Sequence, residues 1–144
     1  TFMRRINEQA KPARIVEVGT RAVCREELDY AKKADIAFMT AQQIRNNGVE
    51  QASRKIAKML SDVKKIYLTV DLDVLDPAFA PAVQNPEPDG LCTHHLLDLL
   101  SEVCDERVAA FDVVEVAPTY DHGVTSIVAA RTMFEILSNL EKAR

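Results

Sequence analysis

The chain has 144 residues, of which 47% are apolar and 28% charged, and its formal net charge at pH 7 is −4. This length and composition fit one compact domain or a large piece of one, with residues 1–144 as a single unit. The mildly acidic balance offers no basic surface for nucleic acid. No apolar run approaches the roughly 20 residues of a membrane span, so no membrane partner is expected.

The cysteines and the first residues indicate a cytoplasmic protein. Cys24, Cys92 and Cys104 form no CxxC pair and are odd in number, which is typical of reduced thiols. The opening segment 1–5 lacks the apolar stretch of a secretory signal. We therefore expect a soluble intracellular chain.

Short apolar runs alternate with amphipathic stretches along the chain. The pattern predicts strands over 14–19, 35–40, 64–73 and 108–116, with helices over 25–33, 49–63 and 93–104 and a last helix from Ser126. This alternation favours an α/β domain with parallel strands covered by helices. Four strands are few for such a sheet, so more of it is expected in another part of the polypeptide or in a partner.

Helix and loop signals refine this prediction. Thr93 is a plausible N-cap for the third helix, and Ser126 for the last one. The last helix carries an apolar stripe at helical spacing, formed by Ile127, Ala130, Phe134 and Leu137. Prolines at 77, 81, 86 and 88 exclude regular structure from the loop after the third strand.

Asp71 and Asp73 are the main chemical signal. Side chains alternate in a strand, so the two carboxylates are expected on one face, roughly 6.6 Å apart along the strand. They end the strand, where parallel α/β sheets bind ligands. Like charges this close repel unless a cation or proton lies between them, and carboxylates are hard ligands suited to Mn²⁺, Mg²⁺ or Ca²⁺.

Two other interpretations of the aspartate pair stay open at this point. The carboxylates could cap a loop through backbone hydrogen bonds, since loops favour aspartate. They could also form the DxD motif of a glycosyltransferase that binds a metal-nucleotide.

Glu115 is a second candidate site residue, because it is the lone acid of the apolar run 113–116. A guanidinium would satisfy it bidentately, and an internal salt bridge or a solvated strand end is the alternative.

Several segments together resemble the ureohydrolase (arginase/agmatinase) family. Residues 71–81, DLDVLDPAFAP, are similar to its DxDxxDP signature followed by AFAP, and 85–91, NPEPDGL, to its PEPGGL segment. Residues 111–118, FDVVEVAP, resemble its strand ending in glutamate. The remaining matches are VGTR at 18–21, REE at 25–27, and YDH at 120–122 with Thr125. They run in the expected order over nearly the whole chain.

The resemblance implies the C-terminal half of a three-layer, arginase-like α/β fold with a parallel sheet. In that family two Mn²⁺ ions activate water for hydrolysis of a guanidino group, and urea is released. Asp71 and Asp73 are implied as metal ligands, and Glu115 as the residue that contacts the guanidinium. Agmatine, giving putrescine, is the first choice of substrate, with arginine, guanidinobutyrate and formiminoglutamate as others. Trimers or hexamers are implied.

The chain also departs from the family pattern. Residues 82–85 read AVQN where agmatinases commonly read GTGT, and Asp89 replaces the first glycine of the GG pair. The GGDH and DAHxD segments, which supply the other metal ligands, do not occur in these 144 residues. A metal-poor, catalytically inert relative is therefore the second hypothesis. His94 and His95 are predicted to be surface or first-turn residues of a helix without a ligand role, and His122 to order the turn before the last helix rather than bind metal.

Overall fold

The computed structural model describes residues 2–143, and its elements follow the predicted alternation. The strands are β1 Val16–Thr20, β2 Ala37–Thr40, β3 Ile66–Asp71 and β4 Val108–Val114. The helices are α1 Phe2–Gln9, α2 Arg25–Lys33, α3 Ala41–Asn47, α4 Val49–Met59, α5 Thr93–Val103 and α6 Val124–Lys142. Every predicted strand and helix is present, while α1 and α3 have no counterpart among the predictions.

Local capping explains where the boundaries differ. α3 starts directly after β2, because Thr40 Oγ1 accepts the Gln43 N–H at 3.1 Å and the Gln43 side chain accepts the Thr40 N–H at 3.0 Å. This reciprocal box is a strong helix start. α5 begins at Thr93 itself, so the N-cap is Cys92 and not Thr93. α4 ends at Met59 rather than at residue 63.

The strands form two separate parallel pairs. Within residues 2–143, β1 pairs only with β2, and β3 only with β4. These four strands therefore do not form one continuous sheet among themselves. A cavity of about 1780 Å³ separates the pairs and is lined by β1 and β3 along their full lengths. Strand edges carry backbone groups that need partners, so the cavity supports the expectation that further sheet lies outside these residues.

The apolar core fixes the segment that follows β3. Helices α3, α4, α5 and α6 pack against one another in chain order. Leu72 and Leu75, which flank Asp73, are fully buried in the core that these helices share. Burial of each such side chain contributes roughly 1.5–3 kcal/mol, so the aspartate segment has a fixed backbone. No helix within residues 2–143 combines the length and apolarity needed to cross a bilayer.

The start of α6 is organised by Asp121. Its carboxylate accepts the N–H of Gly123 at 2.7 Å, and the N–H and hydroxyl of Thr125 at 2.9 and 2.8 Å. These bonds lower the pKa of Asp121. The predicted N-cap Ser126 is therefore wrong, because the helix already begins at Val124. The Thr125 hydroxyl also accepts the buried N–H of Ala82 at 2.9 Å, which ties α6 to the long loop.

The packed face of α6 is not its apolar stripe. The buried residues are Thr125, Ala129, Thr132, Ile136 and Asn139. The stripe is exposed instead: relative exposure is 71% for Ile127, 62% for Phe134 and 55% for Leu137. Threonines can face the core here because their hydroxyls donate hydrogen bonds to groups close by in the sequence. The Thr132 hydroxyl, for example, donates to the Val128 carbonyl at 2.9 Å.

The two buried threonines of α6 provide a matched test of the hydrogen bond between the Thr125 hydroxyl and the Ala82 N–H. Thr125→Val should lower the free energy of unfolding by about 1–3 kcal/mol, because the Ala82 N–H is left buried and unpaired. Thr132→Val should lower the free energy of unfolding by less, since the Val128 carbonyl keeps its backbone hydrogen bond within the helix. Urea denaturation of both variants measures the difference, and equal losses would contradict the role given to Thr125.

Candidate active site

Asp71 and Asp73 lie together, but not as strand alternation predicts. β3 ends at Asp71, and Asp73 belongs to the 3₁₀ turn Leu72–Val74 that follows. Asp71 Oδ1 accepts the N–H of Asp73 at 3.0 Å and so caps this turn. The prediction that both side chains project from one strand face is wrong, because the strand ends two residues before Asp73. The turn nevertheless keeps the two carboxylates adjacent.

The neighbourhood of Asp73 is short of positive charge. Partial burial, followed by the nearby charge of Asp71 and a hydrogen bond with it, raises the pKa of Asp73 to about 6. Glu115 raises this pKa further, and Arg21 lowers it. The structure thus brings the predicted residues Asp71, Asp73 and Glu115 within electrostatic reach of one another. A proton or a cation relieves such repulsion.

Glu115 is held in an unfavourable setting. It follows β4 with φ +65°, a left-handed conformation that is uncommon outside glycine. Its Oε2 atom is buried and has no hydrogen-bond partner among residues 2–143. The backbone is fixed just beyond it, where Val116 bridges Val83 and the Ala117 N–H donates to the Ala82 carbonyl at 2.8 Å. A buried carboxylate oxygen without a partner is unfavourable, and a hydrogen-bond donor would satisfy it.

Arg21 has no role in the sequence predictions, yet it connects the parts of the site. Its guanidinium, at the end of β1, donates to main-chain carbonyls at N···O distances from 2.5 to 3.4 Å. The acceptors are the carbonyls of Asp73, Val74, Leu75, Glu87 and Pro88. The sequence contains a signal for this contact. A proline-rich loop has carbonyls without partners in a strand ladder, and the five N–H donors of an arginine lie in one plane and can bind several of them.

Asp112 is a further residue that sequence reasoning missed. It lies opposite Thr69 in the parallel β3–β4 register. Its carboxylate accepts the Thr69 hydroxyl at 2.6 Å and also the Tyr67 hydroxyl. The hydrogen bond to Asp112 raises the pKa of Tyr67. The pairing register, which the sequence does not reveal, decides this contact.

Comparisons with known proteins decide the family. A sequence model described as the Arginase family matches residues 1–138. The protein belongs to the arginase family. Its relatives include the proclavaminate amidinohydrolase of Streptomyces clavuligerus, 38% identical, with 92% of this chain and 43% of the relative covered. An agmatinase of Neisseria meningitidis serogroup C is 35% identical, with 88% and 39% covered.

A solved structure supports the fold class directly. The agmatine ureohydrolase of Thermoplasma volcanium superposes with a TM-score of 0.86 at 31% identity, over 97% of this chain and 46% of that chain. The predicted arginase-like α/β fold is thereby confirmed, and the glycosyltransferase interpretation of the aspartate pair gives way. The chain spans less than half the length of each of these relatives.

The loop that departs from the arginase-family pattern remains ordered in this chain. Asp89, at the first glycine position, adopts φ +63°, which aspartate tolerates better than most residues. Arg45 donates to the carbonyls of Asp89 and Gly90. Gly90 is required, because a Cβ there would lie 2.3 Å from the Asp76 nitrogen. The altered residues therefore still allow the loop to close onto the segment after β3.

Arg21→Lys tests whether the guanidinium fork orders this loop. A lysine keeps the charge but cannot donate to the Asp73 carbonyl of the turn and the Glu87 carbonyl of the loop at the same time. We expect hydrogen exchange of amides in 75–91 to accelerate by at least about tenfold, which corresponds to the loss of roughly 1.4 kcal/mol of local stability.

Arg25→Lys, in the exposed first turn of α2, is the matched control and should leave exchange unchanged. Mass spectrometry of peptic fragments reports both variants. Unaltered protection of the loop in Arg21→Lys would show that other contacts hold it.

Proposed function

We propose that the protein of which this chain is a part hydrolyses a guanidino compound with Mn²⁺ and releases urea. The observation that carries the proposal is the buried, unpaired Oε2 atom of Glu115 near the Asp71–Asp73 pair. Acidic groups so placed favour positively charged ligands, and the reaction supplies two kinds, a divalent metal and a guanidinium. Membership of the arginase family supports the same assignment.

Asp71 and Asp73 are proposed as ligands of two Mn²⁺ ions. Their oxygens are hard donors of the kind that Mn²⁺ prefers. Partial burial and the neighbouring charge of Asp71 raise the pKa of Asp73, and a bound cation would relieve that repulsion. When bound, the ions supply a water molecule acidified enough to act as a nucleophile at neutral pH. The remaining ligands must come from outside these 144 residues. We therefore expect the 144-residue chain alone to be inactive.

Glu115 is proposed to bind and orient the substrate. A guanidinium can donate two parallel hydrogen bonds to one carboxylate, which would satisfy the unpaired Oε2 atom. The left-handed backbone of Glu115 and the fixed bridge at Val116 keep this carboxylate in place before substrate arrives. Arg21 holds the loop that borders the site but points its donors at carbonyls, so it does not neutralise the carboxylates fully.

Agmatine, which would give putrescine and urea, is our first choice of substrate. An agmatinase and an agmatine ureohydrolase are among the similar proteins. A proclavaminate amidinohydrolase and a formimidoylglutamase are similar too, so related guanidino and formimino compounds belong in the test. A cytoplasmic homo-oligomer, trimeric or hexameric, is proposed for the whole protein.

Substitution of a proposed ligand should change metal content. Asp71→Asn in the whole protein should weaken Mn²⁺ binding by at least about tenfold, a loss already typical when an outer partner of a ligand is removed. Asp62→Asn is the control, because Asp62 is an exposed partner of Arg14. Elemental analysis after dialysis measures retained manganese. Equal retention in both variants would remove Asp71 from the ligand set.

Glu115→Gln should separate substrate binding from metal binding. With excess Mn²⁺, the whole protein should release urea from agmatine, tested beside arginine, guanidinobutyrate and formiminoglutamate as alternatives. The variant should lower kcat/KM by about tenfold to hundredfold, because a charged hydrogen bond contributes roughly 1.5–3 kcal/mol. Its manganese content should not change.

Exposed Glu106→Gln provides the control for the loss of one carboxylate charge. Full activity in Glu115→Gln would exclude the guanidinium role. Absence of turnover with every compound, in protein that retains manganese, would favour the inert relative.

A further inference from the structure

Cys92, His94 and His95 form a cluster of potential ligands that includes none of the proposed manganese ligands. One ligand atom from each side chain lies within 4.8 Å of the other two. Cys92 is the N-cap of α5, and the two histidines lie in its first turn. The sequence prediction gives these histidines no ligand role; the helix start brings all three side chains to one place.

The distances inside the cluster approach those of a metal site. Cys92 Sγ lies 3.3 Å from Nδ1 and 3.7 Å from Nε2 of His94. A tetrahedral Zn²⁺ with its usual bond lengths separates a sulfur and a nitrogen ligand by about 3.6 Å. The Cys92–His94 pair already has this spacing, and the ligand atom of His95 lies within 4.8 Å of both partners.

A simple thiol–imidazole hydrogen bond accounts for only part of the cluster. It explains the Cys92–His94 contact but leaves His95 unexplained. The Nδ1 atom of His95 is buried and has no hydrogen-bond partner among residues 2–143. Burial, followed by the charge of His94, lowers the pKa of His95, which favours the neutral imidazole that metals bind.

The surroundings leave room for a fourth ligand. Cys92 and His95 border a cavity of about 210 Å³ that is also lined by Asp76 and Asp89. Arg45 lines it too, but its guanidinium already donates to the carbonyls of Asp89 and Gly90. A water molecule can therefore complete a four-coordinate site with three protein ligands.

We propose that Cys92, His94 and His95 bind a borderline-soft divalent cation of the Zn²⁺ class. A thiolate and two imidazoles favour such an ion over Mn²⁺, which prefers oxygen ligands. The site is connected to the end of β3, because Leu91, next to Cys92, donates to the Val74 carbonyl at 3.0 Å and accepts the Asp76 N–H at 2.9 Å.

Cobalt substitution tests the proposal in the whole protein. Reduced protein is first equilibrated with excess Mn²⁺, so that oxygen-rich sites are filled, and Co²⁺ is then titrated under anaerobic conditions. We expect a near-ultraviolet sulfur-to-cobalt band together with the intense visible bands of tetrahedral Co²⁺, saturating at one ion per chain. Zn²⁺ should abolish these bands, whereas more Mn²⁺ should not.

Two variants test the ligands, and a third is the control. Cys92→Ser should abolish the sulfur band, and His94→Ala should weaken Co²⁺ binding by at least about tenfold. His94 is exposed, so its variant is expected to fold even if Cys92→Ser does not. Cys24→Ser, at another exposed cysteine, should match the parent. Persistence of the band in Cys92→Ser, unchanged affinity in His94→Ala, or no sulfur band in the parent protein would overturn the site. None of these readouts depends on urea release.

Discussion

The attachment of Arg21 to main-chain carbonyls is the interaction on which the site depends. It connects the end of β1 with the turn that carries Asp73 and with the loop carbonyls of Glu87 and Pro88. No ladder hydrogen bond joins β1 to β3 in residues 2–143, so this side chain supplies order where a continuous sheet would otherwise do so. Close packing adds to it, because Gly19 leaves room for Val74, which a Cβ would meet at 2.3 Å.

A second constraint is electrostatic. The fold places Asp71, Asp73 and Glu115 together while Arg21 directs its hydrogen bonds to the backbone. The result is that ionisation of Asp73 is disfavoured, and a nearby cation would relieve this. Glu115 adds a left-handed backbone and an unpaired buried oxygen to the same region. Strain and unpaired polar groups concentrate where a ligand relieves them, and here they coincide within one site.

Much of this could be predicted from the sequence, because apolar runs and turn residues are local signals. All four strands and the position of Asp71 at a strand end follow from them. Contacts that depend on register or on the far end of a long side chain could not be predicted: Asp112 meets Thr69 only through the β3–β4 pairing. Arg21 was visible as part of a motif, but its acceptors lie more than fifty residues away in sequence.

The exposed stripe of α6 and the altered loop bear on two different questions. The first is whether more of the fold lies outside this chain, and the second is whether the protein is an active hydrolase or an inert relative. An apolar stripe that faces outward, together with unpaired strand edges, fits a chain that spans less than half of its relatives' length. The altered loop is one of two sequence arguments for an inert relative, the other being the missing GGDH and DAHxD segments, and the structure weakens the argument from the loop. Ala82 is buried and bonded at both its N–H and its carbonyl, and Asp89 occupies the glycine conformation beside Arg45. These substitutions preserve the loop's path, so they give no physical reason for the carboxylate site to have lost its ligands.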